Sequence, residues 1–361
     1  MTGNRHSLPY GRASAVVLLP LSAAYGVVMR ARLALYRSGL LPTHQIAAPV
    51  ISVGNIAAGG TGKTPLVEWL ARAVARAGKR VCVLSRGYKR TDEHERVLVS
   101  DGKQMLADVR EGGDEPRLLA EKLLGVAAVL SDADRIGAAR WAQENLASEV
   151  FILDDGFQHL RLKRDLNIVT LDGTNPWGGG QLLPCGRLRE PLHELRRADC
   201  IVITRAETVS ELSELRDMAA RLSAGRPVFS TRTQTSGVRP LHAQLHDELQ
   251  SVASLPQPLA AFCALGNPQA FFTHARRSQL QLTHTRAFPD HHAYTQNDID
   301  ALSREAARTG ARALLTTAKD AVKLQHLSFP LPCFVLEIEL VFDDEPKLLE
   351  LVRQAIQSDA T

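Results

Sequence analysis

An α/β protein with a parallel sheet covered by helices is what this sequence predicts, on three observations. Short apolar runs recur along most of the chain, amphipathic stretches fall between them, and the first such run leads through a loop of small residues into a helical pattern. The runs are VISVGNI (50–56), RVCVLS (80–85), VAAVLS (126–131), VFILDD (150–155), LNIVTLD (166–172) and CIVITR (200–205). Their near-continuous apolar character marks strands buried on both faces. PLVEWLARAVARAG (65–78) and DEPRLLAEKLLG (114–125) have helical spacing, and each ends at a glycine that can cap it. A second series follows PVFSTRTQTSGVRPL (227–241), a polar stretch containing Gly and Pro that reads as a connection. Its strands are LAAFCALG (259–266), ALLTT (313–317) and CFVLEIEL (333–340). Its helices are PQAFFTHARRS (268–278), QNDIDALSREAARTG (296–310) and EPKLLELVRQAIQ (345–357). The chain has 361 residues, and domains of about 100 to 200 residues leave room for two. The expected division is an N-terminal helical segment, 1–40, a first domain, 41–230, and a smaller α/β domain, 231–361.

Composition excludes the extremes. With 45% hydrophobic and 23% charged residues the chain is neither disordered nor fibrous. The excess of 43 Lys and Arg over 39 Asp and Glu is too small to argue for a nucleic-acid partner. Nothing points to an obligate protein partner. The five cysteines are far apart, with no C-x-x-C pair, so neither a zinc site nor a disulfide framework is expected. Cys82, Cys200 and Cys263 lie in apolar runs, where a thiol behaves as a small buried hydrophobe in a reducing compartment.

Residues 57–64 carry the first chemical signal: Ala57, Ala58, Gly59, Gly60, Thr61, Gly62, Lys63 and Thr64 spell AAGGTGKT between a strand and a helix. This is the phosphate-binding P-loop pattern, with alanine in place of its first glycine. Small residues let backbone N–H groups turn toward phosphate oxygens, Lys63 neutralises the β and γ phosphates, and the Thr64 hydroxyl can ligate Mg²⁺. ATP and Mg²⁺ are therefore the expected ligands. Asp154 and Asp155, at the end of VFILDD, are placed to meet the metal, and Gln158 and His159 follow them. Asp114 and Glu115 sit in REGGDEP at a helix start, where Asp114 has two readings, a helix cap or a base beside an acceptor hydroxyl. Tyr88, Arg135, Arg187, Arg189 and Glu190 fall in polar loops, and FPDHH (288–292) sets His291 beside Asp290. A GTPase is a poorer reading, because the Asn/Thr-Lys-x-Asp motif for guanine is missing and TAKD (317–320) has its lysine displaced. An ATPase module driving a membrane partner also lacks a signature.

The N-terminal run AVVLLPLSAAYGVVM (15–29) has no charge and is flanked by Arg5, Arg12, Arg30, Arg32 and Arg37. A signal peptide, a membrane span and a helix lying in the membrane interface all fit such a run. Pro20, Gly26 and the short length disfavour a span. The mixture of Leu18, Leu19, Leu21, Tyr25, Val28, Arg32, Leu33 and Tyr36 suits the interface, and packing against the protein itself is the plain alternative.

In order along the chain, GNIAAGGTGKTP, SRGYKR, EGGDEP, DDGFQH, LLPCGRLREP, LGNPQAFF, FPDHH and TAKDAVK resemble the tetraacyldisaccharide 4'-kinases, from the N-terminal helix to about residue 323. The resemblance implies a P-loop NTPase-type domain with a smaller second α/β domain and a membrane-associating helix. It implies transfer of the γ-phosphate of ATP to the 4'-hydroxyl of a tetraacyldisaccharide 1-phosphate, at the cytoplasmic face of the inner membrane. It further implies Asp114 as general base assisted by His291, and Lys63 and Thr64 on ATP and Mg²⁺. Asp154, Asp155 and Glu190 are implied around the metal, with Tyr88, Glu115, Arg135, Gln158 and Arg189 in supporting or substrate contacts. Ala318 departs from the glutamate common in the family, while Lys319, Asp320 and Lys323 are retained. A substrate held in the bilayer by four acyl chains favours the interface reading of the N-terminal helix.

Overall fold

The computed structural model describes residues 12–88, 90–243 and 248–357, with side chains from residue 18 onward. Arg5 and Lys89 lie outside the described residues, as does the side chain of Arg12. The chain opens with helix α1 (Arg12–Arg37) and reaches strand β1 (Val50–Asn55) and helix α2 (Lys63–Arg76) through the P-loop. It continues with β2 (Val81–Ser85), β3 (Val97–Ser100), α3 (Val109–Gly112), α4 (Asp114–Lys122) and β4 (Ala127–Ser131). Then come α5 (Arg135–Leu146), β5 (Val150–Asp154), β6 (Leu166–Asp172), β7 (Cys200–Thr204) and α6 (Leu212–Leu222). The remainder is β8 (Val228–Pro240), β9 (Leu259–Cys263), α7 (Pro268–Arg277), β10 (Leu282–Ala287), α8 (Gln296–Arg308), β11 (Ala313–Thr317), α9 (Ala318–Leu324), β12 (Cys333–Phe342) and α10 (Glu345–Gln357).

Every strand and helix expected from periodicity is present. Several elements were not anticipated: β3, β8, β10, α3, α5, α6 and α9. The stretch at 227–241, read as a polar connection, is the 13-residue strand β8. Its middle, Arg232 to Ser236, alternates exposed and half-buried positions, so a polar face hides the strand from a search for apolar runs.

The residues fall into two compact units that differ from the contiguous division at 230. One comprises Met1–Leu84, Asp134–Arg232 and Phe342–Thr361, the other Ser85–Ala133 and Thr233–Val341. In the first unit β1 is paired in parallel with β5 on one side and β6 on the other, β2 extends the sheet beyond β5, and β7 and β8 extend it beyond β6. Leu66, Val67, Leu70, Ala71 and Val74 form the buried stripe of α2, spaced three and four residues apart, which packs on β1 and β5. Helix α10 returns to this unit: the Trp69 and Phe342 rings lie 4.4 Å apart, and Trp69 Nε1 donates to Glu345 Oε1 at 3.1 Å.

In the second unit β10, β9, β11 and β12 form a parallel sheet with two apolar faces. Ala260, Phe262 and Leu314 join Ile299, Leu302 and Ala306 of α8 and Leu324 of α9 on one face. Leu259, Ala261, Cys263 and Leu315 join Phe271, Phe272 and Ala275 of α7 on the other, the alternation a pleated strand imposes. The segment 85–133 belongs here because α4 packs on α9. A buried ion cluster adds to this: Glu337 of β12 pairs with Lys122 at the end of α4 and accepts from Arg239 Nε of β8 at 2.8 Å. Periodicity shows that α4 has an apolar face, not which sheet or helix that face will cover.

Candidate active site

In the first unit the register Val53↔Asp154, Asn55↔Thr170 and Asp172↔Thr204 brings the carboxyl ends of β1, β5, β6 and β7 to one edge of the sheet. This is where open α/β sheets bind ligands. The P-loop leaves β1 at that edge and is held from both flanks. Ala58 N–H donates to the Arg187 carbonyl at 2.7 Å, and Arg189 N–H donates to the Ile56 carbonyl at 2.7 Å. On the inside, Asn55 Nδ2 donates to Thr61 Oγ1 at 2.7 Å, and Thr61 Oγ1 lies 3.0 Å from Thr170 Oγ1. Thr204 Oγ1 donates to the Thr61 carbonyl at 2.9 Å and Arg205 Nη1 to that of Gly60 at 3.0 Å, with Arg205 also paired to Asp172 at 2.8 Å. Sequence reading missed Asn55, Thr170, Asp172, Thr204 and Arg205. Their one signal is position at strand ends, which becomes useful only when strand order is known.

Gly62 has φ +77°, and a Cβ there would stand 3.2 Å from the Thr204 side chain, so the turn into α2 requires glycine. No side chain caps α2, so its first N–H groups and its positive dipole end suit an anion. Lys63 begins this helix. Its Nζ is 3.2 Å from Asp155 Oδ1, and Arg189 Nη1 reaches Asp155 Oδ2 at 2.6 Å. Burial works against the Asp155 charge, but Lys63 and Arg189 outweigh it and hold the carboxyl far below the usual range. Gln158 completes the chain, with Oε1 at 3.4 Å from Arg189 Nη1 and Nε2 donating to the Asn55 carbonyl at 2.9 Å. The intervening Gly156 lets this segment fold back on β1, since a Cβ would meet Ser52 Oγ at 2.5 Å. Arg135, at the start of α5, is buried and directs Nη2 to the Asp154 carbonyl at 3.3 Å.

Asp154, Asp155 and the Thr64 hydroxyl are hard oxygen donors of the kind Mg²⁺ takes, next to a phosphate-binding helix end, and in donor chemistry the set fits that metal. Among the described residues no group of three or more His, Cys, Asp or Glu side chains that could by themselves hold a metal ion is assembled. Glu190 is fully buried and paired with Arg197, which also reaches Glu194 at 3.1 Å and lies 4.1 Å above the Phe157 ring. Burial raises the Glu190 pKa, and Arg197 opposes that.

Helix α1 packs on the same loops. Ser22, Met29 and Leu33 are buried along one face, Ser22 Oγ donates to the Leu182 carbonyl at 2.9 Å, Tyr25 OH to that of Arg189 at 2.8 Å and Arg32 Nη2 to that of Gln158 at 3.1 Å. Leu19, Leu21, Val27 and Val28 are each at least half exposed on other faces.

The second unit holds the Asp114 group. Gly113 occupies the cap position of α4 and Asp108 caps α3, so Asp114 is the first helical residue and not a cap. Its Oδ2 is 3.1 Å from His291 Nδ1 and 3.7 Å from Lys323 Nζ. Burial pushes this carboxyl up, but the His291 hydrogen bond and the Lys323 charge prevail and hold it below its ordinary value. His291 has φ +61°, a conformation that L-residues rarely adopt, in the turn after β10. The Tyr88 ring stands edge-on to its imidazole at 5.9 Å. Glu115 pairs with Lys319 at 3.1 Å. The predicted residues are thus gathered into two sets: Lys63, Thr64, Asp154, Asp155, Gln158, Arg135 and Arg189 around the P-loop, and Asp114, Glu115, Tyr88 and His291 around the start of α4.

A glycine-rich loop between a central parallel strand and an uncapped helix, with a lysine at the helix start, defines a P-loop nucleotide-binding protein. Residues 14–357 match the family model of tetraacyldisaccharide-1-P 4'-kinases. A tetraacyldisaccharide 4'-kinase of Pelobacter propionicus is 38% identical over 359 residues, covering 99% of this chain and 96% of the relative. One from Geobacter sulfurreducens is 42% identical over 328 residues, covering 90% and 89%. The crystal structure of LpxK from Aquifex aeolicus in complex with ATP is 33% identical and superposes with a TM-score of 0.75, covering 95% of this chain and 99% of that one. The chain belongs to the tetraacyldisaccharide-1-P 4'-kinase family.

His159 gives the first unit a pH dependence. Burial, reinforced by Arg135 and Arg164, lowers its pKa to about 3, against about 6.5 in an unfolded chain. Between these values the unfolded state binds the proton first, so stability present above about pH 6.5 is lost as pH falls toward 3, by at most about 1.4 kcal/mol per unit. Urea unfolding at pH 7 and pH 5 is expected to show a smaller loss in His159→Gln than in the wild type. Equal losses contradict the assignment.

Proposed function

We propose that this chain is an ATP-dependent lipid kinase that transfers the γ-phosphate of ATP to the 4'-hydroxyl of a tetraacyldisaccharide 1-phosphate. Family membership across residues 14–357 carries this reading, and the P-loop geometry supplies its chemistry. The acceptor oxygen forms a bond to the γ-phosphorus, the bond to the β,γ-bridging oxygen breaks, and ADP leaves. Little of this is covalent work for the protein, and its contribution is alignment and charge neutralisation.

Lys63 and the N–H groups at the start of α2 bind the phosphates. Thr64 with Asp154 and Asp155 would hold Mg²⁺, which when bound neutralises phosphate charge. Glu190, whose Oε2 pairs with Arg197 and whose buried Oε1 has no hydrogen-bond partner among the described residues, would add a further carboxylate to this set. Arg189 and Gln158 brace Asp155, and Arg135 braces the end of β5. Asp114 receives the proton of the acceptor hydroxyl and His291 orients it. What supports this pairing is the 3.1 Å separation between the two and the lowered Asp114 pKa, which keeps the carboxylate ionised and able to accept.

The acceptor's acyl chains lie in a bilayer, so the enzyme works at its surface, peripherally and on the cytoplasmic side where ATP is. Helix α1 suits that position. From Leu18 to Arg37 it is long and apolar enough to cross a membrane, but the bonds of Ser22, Tyr25 and Arg32 commit one side of it to the protein. Leu19, Leu21, Val27 and Val28 would enter the acyl boundary, with arginines at the head groups.

Purified protein with labelled ATP, Mg²⁺ and a tetraacyldisaccharide 1-phosphate is expected to label the lipid. ATP hydrolysis without lipid labelling would favour an ATPase module instead. Asp114→Ala is expected to lower turnover at least about 100-fold while ATP affinity, measured by titration, stays within threefold; undiminished turnover removes Asp114 as the base. Leu21→Glu combined with Val28→Glu is expected to weaken sedimentation with anionic vesicles by about tenfold or more. Unchanged sedimentation puts the membrane surface elsewhere.

A further inference from the structure

Helix α9 carries Lys319 and Lys323 four residues apart, hence on one face, and α9 packs against α4. Lys319 Nζ is 3.1 Å from Glu115 Oε1, 3.6 Å from Asp290 Oδ1 and 3.5 Å from His291 Nε2. An ammonium group can only donate, so the ring nitrogen facing it has to present a lone pair. The proton of a neutral His291 then sits on Nδ1, 3.1 Å from Asp114 Oδ2. In the aspartate–histidine pair of a serine protease the same Nδ1–H points to the carboxylate and Nε2 is free to act as the base. Here Lys319 stands on that nitrogen.

We propose that Lys319 is a positioning residue: it holds His291 as the neutral Nδ1–H tautomer and blocks its Nε2, so that Asp114 and not the imidazole receives the acceptor's proton. This rests on the kinase reading above. Of the charged groups facing the imidazole, only Asp290 opposes this tautomer, its Oδ1 lying 3.9 Å from Nε2, farther than Lys319 Nζ at 3.5 Å. Asp114 and Glu115 come from α4, Asp290 from the same turn, and Lys319 and Lys323 from α9, while Tyr88 covers the ring edge. A proton on Nε2 would set one donor against another at Lys319, and a ring protonated on both nitrogens would set a second cation there. Burial alone would lower the Lys319 pKa, but Glu115 and Asp290 overcome this and keep the ammonium charged.

The lysines are themselves fixed from below. Asp320, fully buried, accepts from Ala264 N–H at 3.1 Å, Tyr294 OH at 3.0 Å and Thr317 Oγ1 at 2.7 Å, and pairs with Lys323 at 3.1 Å. With its carboxylate so engaged, the first turn of α9 has little freedom to rotate either lysine away from the dyad.

The test uses full-length protein labelled with ¹⁵N-histidine, with His291→Asn to assign the ring. Wild-type protein at pH 8 is expected to show His291 protonated on Nδ1 and bare on Nε2. Lys319→Met is expected to move the proton toward Nε2, to shift the acid limb of the kcat/KM profile to higher pH, and to lower kcat at least tenfold with KM for ATP within twofold. Lys319→Arg, which keeps the charge, is expected to restore the tautomer and most of kcat. A wild-type ring protonated on Nε2 overturns the proposal without any variant. So does Lys319→Met with an unmoved tautomer, or with a moved tautomer and full kcat. If wild-type protein phosphorylates no lipid, the kinase reading fails, and the ring spectra still report whether Lys319 sets the tautomer.

Discussion

Parallel pairing of β1 between β5 and β6 is the constraint on which the first unit depends. Strands that run the same way end at the same edge, so residues far apart in the chain, Asn55, Asp154, Thr170 and Thr204, converge without any local signal. The P-loop can then be small and glycine-rich, because its rigidity comes from neighbours: Thr61 is held by three strands, and the loop's outer flank is bonded to Arg187 and Arg189. A loop fixed in this way presents its N–H groups with little ordering left to be done when phosphate binds.

Charge in both residue groups is arranged in chains rather than pairs. Lys63, Asp155, Arg189 and Gln158 are linked in series, as are Glu115, Lys319, His291 and Asp114. In partly buried surroundings the neighbouring charges hold the Asp155 and Asp114 carboxyls below their ordinary range. The helix start adds to this at Asp114, where the dipole of α4 favours the carboxylate. In the proposed mechanism the base is thereby kept ionised, and the histidine beside it is kept from competing for the proton.

Helix α1 has one side bonded to the protein and another free of such bonds. Its bonded side joins the carbonyls of Leu182, Arg189 and Gln158, all on loops next to the P-loop. Its unbonded faces are apolar. A helix docked by hydrogen bonds to backbone carbonyls keeps its place when water is exchanged for lipid head groups, because those bonds use none of the exposed side chains.

The sequence by itself determined the strand–loop–helix of the P-loop, the buried strands and the blocks around Asp114, Asp155 and His291, because each is written in contiguous residues whose period or chemistry is local. The tertiary structure decided what depends on partners. It showed that β8 is a strand despite its polar middle, that 85–133 packs with 233–341, and that α10 returns to the first unit. It gave Glu190 to Arg197 and brought Lys319 to His291 across 28 positions of sequence. An apolar stripe or a charge declares that it will be covered or paired, but the identity of what covers or pairs it is set by which surfaces pack together when the whole chain folds.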